Sequence, residues 1–130
     1  MTFHEILNKE DLPEKNFEKK FIQIYIENDP YLRIAKPIET HQKTLRRTLN
    51  EFEIEIPYIE ITPSLPKITP LKGKGYEMVG AGFMKRNDET EIILHGESGF
   101  YRKNKKPLGP NEEHLEKILL KENLNIKIKQ

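Results

Sequence analysis

The stretch Lys19–Asn28, "KKFIQIYIEN", decides the fold. Ile22, Ile24 and Ile26 alternate with Phe21, Gln23 and Tyr25, which is the two-residue period of a strand built from β-favouring residues. The "ENDP" that follows is predicted as a turn, because Asn28 and Asp29 bond readily to the local backbone and Pro30 cannot donate to a ladder. "YLRIA" then returns as a second strand, making a hairpin, and Pro37 ends it. Thr40 is a good N-cap for a helix in "HQKTLRRTLNEF", where Leu45, Leu49 and Phe52 are spaced for one buried face and Lys43, Arg46 and Arg47 stay outside.

Further along, "EIEIPYIEIT" alternates like a strand, with Pro57 demoting part of it to an edge or bulge. "PSLPKITPLKGKG" holds three prolines and two glycines, so an inserted, exposed and extended loop is expected near residues 57–75. "YEMVGAGFM" and "DETEIILHG" read as strands joined by a turn at "KRND", and "GESGFYRKNKKPLGPN" as a loop. "EEHLEKILLKEN" has the acidic start, basic end and apolar spacing (Leu115, Ile118, Leu119) of a helix, and "NIKIK" of a last strand. Residues 1–18 form an N-terminal appendage, with a short helix over Thr2–Lys9. Residues 19–130 are then a single α+β domain: a mixed sheet of about five or six strands with two main helices.

Bulk composition narrows the function. A chain of 130 residues fits one core. The net charge of +1 gives no overall field to attract nucleic acid or an anionic membrane, so any anion site must be a local cluster. The absence of cysteine excludes disulfides, thiolate catalysis and cysteine-ligated zinc. Apolar runs fall far short of the ~20 residues of a membrane span. "MTFHEILNKEDLPEKN" has charges where a signal peptide would be apolar, which leads to a cytoplasmic expectation.

Four histidines remain as candidates for chemistry. His41 falls at the first helical position, where the opening amides lack internal partners and carry partial positive charge. If an anion docks there, the imidazole is placed to attack phosphorus or to shuttle a proton; the alternative is a solvated histidine that follows a cap. Lys20 shares the parity of Ile22, so its ammonium can reach a site at the sheet's end or snorkel into water. Arg33 offers a planar fork for phosphate, or is an ordinary hairpin arginine. Gly80 and Gly82 in "VGAGFM" lack the third glycine of a dinucleotide fingerprint; they leave one strand face bare for a helix or a ligand. Ser98, between Gly96 and Gly99, sits in either a concave anion nest or a plain loop. His95 and His114 do not have helical metal-pair spacing and carboxylates alternate with lysines, so neither a metal nor another cofactor is expected. "YRKNKKP", residues 101–107, is a basic patch with an aromatic neighbour that could touch RNA or an acidic partner, though the overall charge balance argues against nucleic acid.

Taken in order, these pieces resemble the Janus/phosphohistidine phosphatase family of small, cytosolic, metal-free enzymes. The likeness runs over about residues 19–129. It rests on Lys20 opening the first strand, on Arg33 eight residues before His41 in "RIAKPIETH", on the helix that follows, on Gly80 and Gly82, and on "ILHGESG" with Ser98. Departures are Thr40 where the family has tyrosine, Ala81 at the middle glycine, the proline-rich insertion and a longer serine loop. The resemblance implies a hydrolase acting on a phosphoramidate such as protein phosphohistidine, its partner being a phosphorylated protein or a small phosphoramidate. His41 would be nucleophile or general base, and Lys20 and Arg33 would neutralise phosphate charge. Ser98 and Gly99, with the amides near His41 including Gln42, would hold the oxygens beside the bare strand at Gly80 and Gly82. The rival readings are a noncatalytic module binding a phosphorylated or other anionic ligand, and an RNA or protein adaptor using residues 101–107.

Overall fold

β1 (Glu18–Ile26) is buried on both faces: Phe21, Ile22, Gln23 and Ile24 are all fully inaccessible to solvent. A computed structural model describes residue 13 and residues 17–58, 68–86, 91–119 and 126–129. Around β1 stand β2 (Asp29–Ile34), α1 (His41–Glu51), β3 (Lys72–Gly73), β4 (Tyr76–Arg86), β5 (Ile92–His95), β6 (Arg102–Lys103), β7 (Lys106–Pro107), α2 (Glu112–Leu119) and β8 (Ile126–Ile128). The main sheet runs β2-β1-β4-β5-β8 with β3 beside β4. Only the β5–β8 pair is parallel, so the fold is the expected α+β domain with a mixed sheet and two helices.

Strand parity assigns one helix to each face. Ile22, Ile24 and Ile26 pack with Leu45 and Leu49 of α1 and with Tyr76, Met78 and Ala81 of β4. Phe21 points the other way, among Leu32, Ile34, Met84 and Leu94, where Leu115 and Ile118 of α2 close the layer. Each of the leucine, isoleucine, methionine and phenylalanine side chains contributes roughly 1.5–3 kcal/mol of burial. The β1–β2 turn falls one residue earlier than expected: Glu27 and Asn28 take positive φ (50° and 72°), the conformation that suits a two-residue hairpin. Pro30 therefore lies within β2 opposite Tyr25, which is tolerated because β2 is the sheet's edge.

A bulge organises the second face. Gln23 pairs with Gly80 but Ile24 pairs with Met78, leaving Val79 over. The freed Val79 carbonyl accepts from Asn111 Nδ2 at 3.1 Å, and Asn111 Oδ1 caps α2 by accepting from the His114 amide at 2.9 Å. Gln23 completes the knot. Its Oε1 accepts from the Asn111 amide (2.7 Å), and its Nε2 donates to the Asn111 carbonyl (2.8 Å) and to His114 Nδ1 (3.2 Å). His114 Nε2 in turn donates to the Ile24 carbonyl at 3.0 Å. Both ring nitrogens are thus used by the neutral imidazole, and burial pushes its pKa down to about 4. Gly80, expected to present a bare face, is instead filled by this network, because a Cβ there would overlap Gln23 Oε1.

Three expectations need correction. Residues 54–58 form no strand; Glu53 at φ 57° ends α1, and Ile54 and Ile56 pack against the α1-side core without sheet partners, while residues 59–62 lie outside the described residues. The end of the proline-rich segment is not an exposed loop. Thr69 is fully buried, with its hydroxyl taking Arg46 Nε (2.9 Å), its amide donating to Gln42 Oε1 (2.9 Å) and its carbonyl accepting from Tyr101 Oη (2.8 Å), so every polar group is satisfied without water. The serine loop holds a small hairpin, β6–β7, turning through Asn104 and Lys105 at positive φ. The helix expected over Thr2–Lys9, residues 87 and 88 of the "KRND" turn and residues 120–123 of the expected last helix lie outside the described residues, while Lys85 and Arg86 belong to β4. Among the described residues no helix is long and apolar enough to cross a membrane.

Gly80→Ala should lower stability by about 2 kcal/mol or more by forcing Gln23 out of place, whereas Gly99→Ala, whose Cβ meets nothing within 4 Å, should stay within about 0.5 kcal/mol; urea denaturation compares them. Protonation of His114 favours the unfolded chain, since its folded pKa lies below the ordinary histidine value. Stability should therefore be full above about pH 6.5 and fall as pH drops toward 4, by on the order of 3 kcal/mol. Denaturation midpoints across that range should show the loss in the wild type and a flatter profile in His114→Leu.

Candidate functional site

At the start of α1 the Thr40 hydroxyl accepts from the Lys43 amide at 3.1 Å, as its cap role predicts. The amides of His41 and Gln42 precede the first helical bond and have no partner among the described residues. His41 is only 7% exposed. Its Nε2 lies 2.9 Å from the Gly82 carbonyl, which can only accept, so Nε2 carries the proton and Nδ1 keeps its lone pair. Nδ1 has no hydrogen-bond partner among the described residues. The Phe83 ring meets the imidazole edge to face at 5.9 Å. Burial pushes the His41 pKa down, the Gly82 bond pulls it up and the charge on Lys20 pushes it down; the net is below the ordinary value. The ring is therefore neutral at pH 7.

Gly82 makes this contact possible. A Cβ there would come within 2.5 Å of the His95 carbonyl, so only glycine lets β4 and β5 approach here while presenting a carbonyl to α1. Lys20 sits across the ladder from Phe83. With Thr40, His41 and Gln42 it forms one side of a hollow of about 320 Å³; Phe83, Glu97, Gly99 and Phe100 form the other. Lys20 has no ion-pair partner among the described residues. Its charge is offset by Glu97 in the same hollow, so the seat is mixed rather than purely cationic.

The structure thus gathers Lys20, His41, Gln42 and Gly99 around one hollow, with Gly82 joined through its carbonyl. It places three other expected residues elsewhere. Arg33 pairs across the ladder with Ile22, beneath α1, is 5% exposed and forms an ion pair with Glu51. Glu51 ends α1, roughly 15 Å along the helix from His41. A buried guanidinium needs a carboxylate, and the far end of α1 supplies it. Arg47 extends this brace to Glu39 (2.9 Å) and to the Ile34 carbonyl (2.9 Å). Burial raises the Glu39 pKa, but hydrogen bonds from Arg47, the Lys36 amide and Thr44 outweigh it and hold the carboxyl below its ordinary value. Ser98 is fully buried, and its hydroxyl accepts from the amides of Phe100 (3.2 Å) and Tyr101 (3.0 Å). The expected nest is inverted: its amides converge on the serine itself. Gly80 belongs to the Gln23 network.

Phe83, Glu97 and Phe100 were not singled out in the sequence. Phe83 follows Gly82 directly, and Glu97 and Phe100 flank the "SG" pair in "GESGF"; their only signal was nearness to residues already chosen. In the basic patch Lys103, Lys105 and Lys106 are exposed, but Tyr101, the aromatic residue of the patch, is buried with its hydroxyl bonded to the Thr69 carbonyl. Among the described residues, no three His, Asp or Glu side chains come together in a metal-binding arrangement. Comparison with protein-family models and with curated proteins finds no match for this chain.

The His41 ring should titrate below 6.5, and Lys20→Met should move it upward by removing a neighbouring cation. NMR titration of the imidazole resonances reads both. An identical titration in the variant would show that Lys20 does not act on the ring.

Proposed function

We propose that the hollow is a phosphoryl-transfer site acting on a phosphoramidate, such as a phosphorylated histidine of a protein, with His41 as the reacting group. The observation that carries this reading is a neutral imidazole whose Nδ1 lone pair is free beside an ammonium, Lys20, and the two unpartnered amides that open α1. In the first step the P–N bond of the substrate breaks, its electron pair stays on the departing imidazole nitrogen, and phosphorus bonds to His41 Nδ1. Water then attacks phosphorus, the pair returns to Nδ1, and inorganic phosphate leaves. If His41 serves instead as a base, the same lone pair takes a proton from the attacking water. In either route the Nε2–H bond to the Gly82 carbonyl fixes the tautomer and favours the cationic ring of the intermediate.

Lys20 and the amides of His41, Gln42 and Gly99 supply positive potential where the phosphoryl oxygens would lie, which is how a loose phosphoryl transition state is stabilised. Glu97 faces the same space and favours the protonated, cationic leaving imidazole over a second anion. Arg33 and Ser98 support this site at a distance, one by seating α1 and the other by shaping the loop that carries Gly99 and Phe100.

Release of phosphate from a phosphohistidine peptide and from free phosphoramidate tests the proposal. His41→Asn should lose about 10³-fold or more and Lys20→Met about 10²-fold in kcat/KM, while Ser98→Ala should act mainly on stability. The acid limb of the kcat/KM profile should fall below pH 6.5, with activity lost as His41 gains a proton. Turnover by His41→Asn equal to that of wild type would reject the reading.

A further inference from the structure

Beside the hollow lies a second depression of about 420 Å³ that shares Lys20 with it and is lined also by Phe17, Ala35, Lys36, Pro37 and Ile38. Ile38 is anomalous in two independent ways. It is 97% exposed, and it holds a φ of 61°, a left-handed conformation that β-branched residues avoid. The turn explains how it is held there. The Glu39 amide donates to the Lys36 carbonyl at 3.0 Å, with Pro37 and Ile38 at the two central positions, so Ile38 occupies the place where such a turn calls for glycine or asparagine. Glu39 clamps the turn, its carboxylate taking the Lys36 amide (3.0 Å), the Thr44 hydroxyl (2.8 Å) and the Arg47 guanidinium (2.9 Å). A bulky apolar side chain is thus kept strained and in water three residues before His41.

It has company. Of the four exposed large apolar side chains among the described residues, Phe17 and Ile38 line the groove and Phe100 lines the hollow; the fourth, Tyr58, is stacked against Arg46. Exposed apolar side chains lining two depressions that share Lys20 mark a contact surface more often than chance exposure does. The charges of the groove choose the partner. Glu39 is occupied by Arg47, and Glu18 lies 2.8 Å from His95 Nε2. Lys20 and Lys36 have no ion-pair partner among the described residues. We infer that this groove docks an extended protein segment bearing an apolar residue flanked by carboxylates. The apolar side chain lies between Phe17 and Ile38 and a neighbouring carboxylate meets Lys36, while the phosphorylated residue of the same segment enters the hollow, where Lys20 and His41 are. The inference rests on the phosphoryl-transfer reading for the last of these contacts only, and it makes the substrate a protein rather than a free phosphoramidate.

The test compares wild type, Ile38→Asn and Lys36→Glu, the first chosen because asparagine accepts the left-handed conformation and so keeps the turn. Turnover of free phosphoramidate should stay within about twofold in both variants, whereas kcat/KM for a phosphohistidine peptide with leucine and glutamate neighbours should fall about tenfold, through KM. Equal losses on both substrates, or none on the peptide, would overturn the groove. Binding is read separately by NMR titration with the same peptide unphosphorylated. Shifts at Phe17, Lys20, Lys36 and Ile38 that are absent with a lysine- and serine-flanked control support docking, and no shift in wild type rejects it whatever the enzyme assay shows. Shifts of those residues that grow with protein concentration alone, with sedimentation as a dimer, would assign the groove to a second copy and also overturn the inference. A peptide that binds but is never dephosphorylated would sink the catalytic reading and leave the docking surface standing.

Discussion

Everything in this molecule answers to the burial of β1 from both sides. A strand with isoleucines on one face and Phe21, Gln23 and Tyr25 on the other cannot rest against a single layer, so one helix must cover each surface. α1 settles over Ile22, Ile24 and Ile26, and that docking places the helix's first residue at the end of the sheet where Lys20 emerges. The hollow follows from where a helix has to start when its apolar stripe is matched to the strand beneath it.

The second face adds to its apolar cluster a set of polar groups, and they are fully engaged. Gln23 lies at zero exposure in the middle of β1, a position that would be costly were its amide not spent on Asn111 and His114. The bulge at Val79 releases the carbonyl that Asn111 needs, and the missing side chain of Gly80 gives the Gln23 amide its room. This knot ties β1, β4 and the start of α2 together, and it keeps one imidazole neutral for structural reasons. In His41 the Nδ1 atom has no partner among the described residues, and the proposed chemistry rests on that difference between the two rings.

Around the hollow, the fold carries unrelieved costs that the core does not. Ile38 is strained and exposed, Phe17 and Phe100 are in water, and Lys20 stands without an ion-pair partner among the described residues. Beneath α1, by contrast, two arginines are matched: Arg33 with Glu51, and Arg47 with Glu39 and Glu51. Such a contrast, satisfied braces beneath α1 and unsatisfied groups at its N-terminal end, is what the proposed site and its docking groove draw upon.

The sequence by itself determined the strands and helices whose period is local: the hairpin of β1 and β2, the Thr40 cap, the glycine-bearing β4 and the amphipathic α2 all follow from neighbours a few residues apart. Strand parity also reaches from Ile22 to Lys20 without any tertiary knowledge, and Lys20 lines the hollow at the sheet's end. Where Arg33, Ser98 and Gly80 ended up was decided only by the tertiary structure. A guanidinium's partner is chosen by whichever carboxylate packing brings near, and a serine's by whichever amides its loop turns inward. The space beside a glycine is likewise taken by whatever side chain faces it across the ladder. Hydrogen bonds and ion pairs between residues far apart in the chain leave no periodic trace in it, so the same residue types that could grip an anion served instead to hold the protein together.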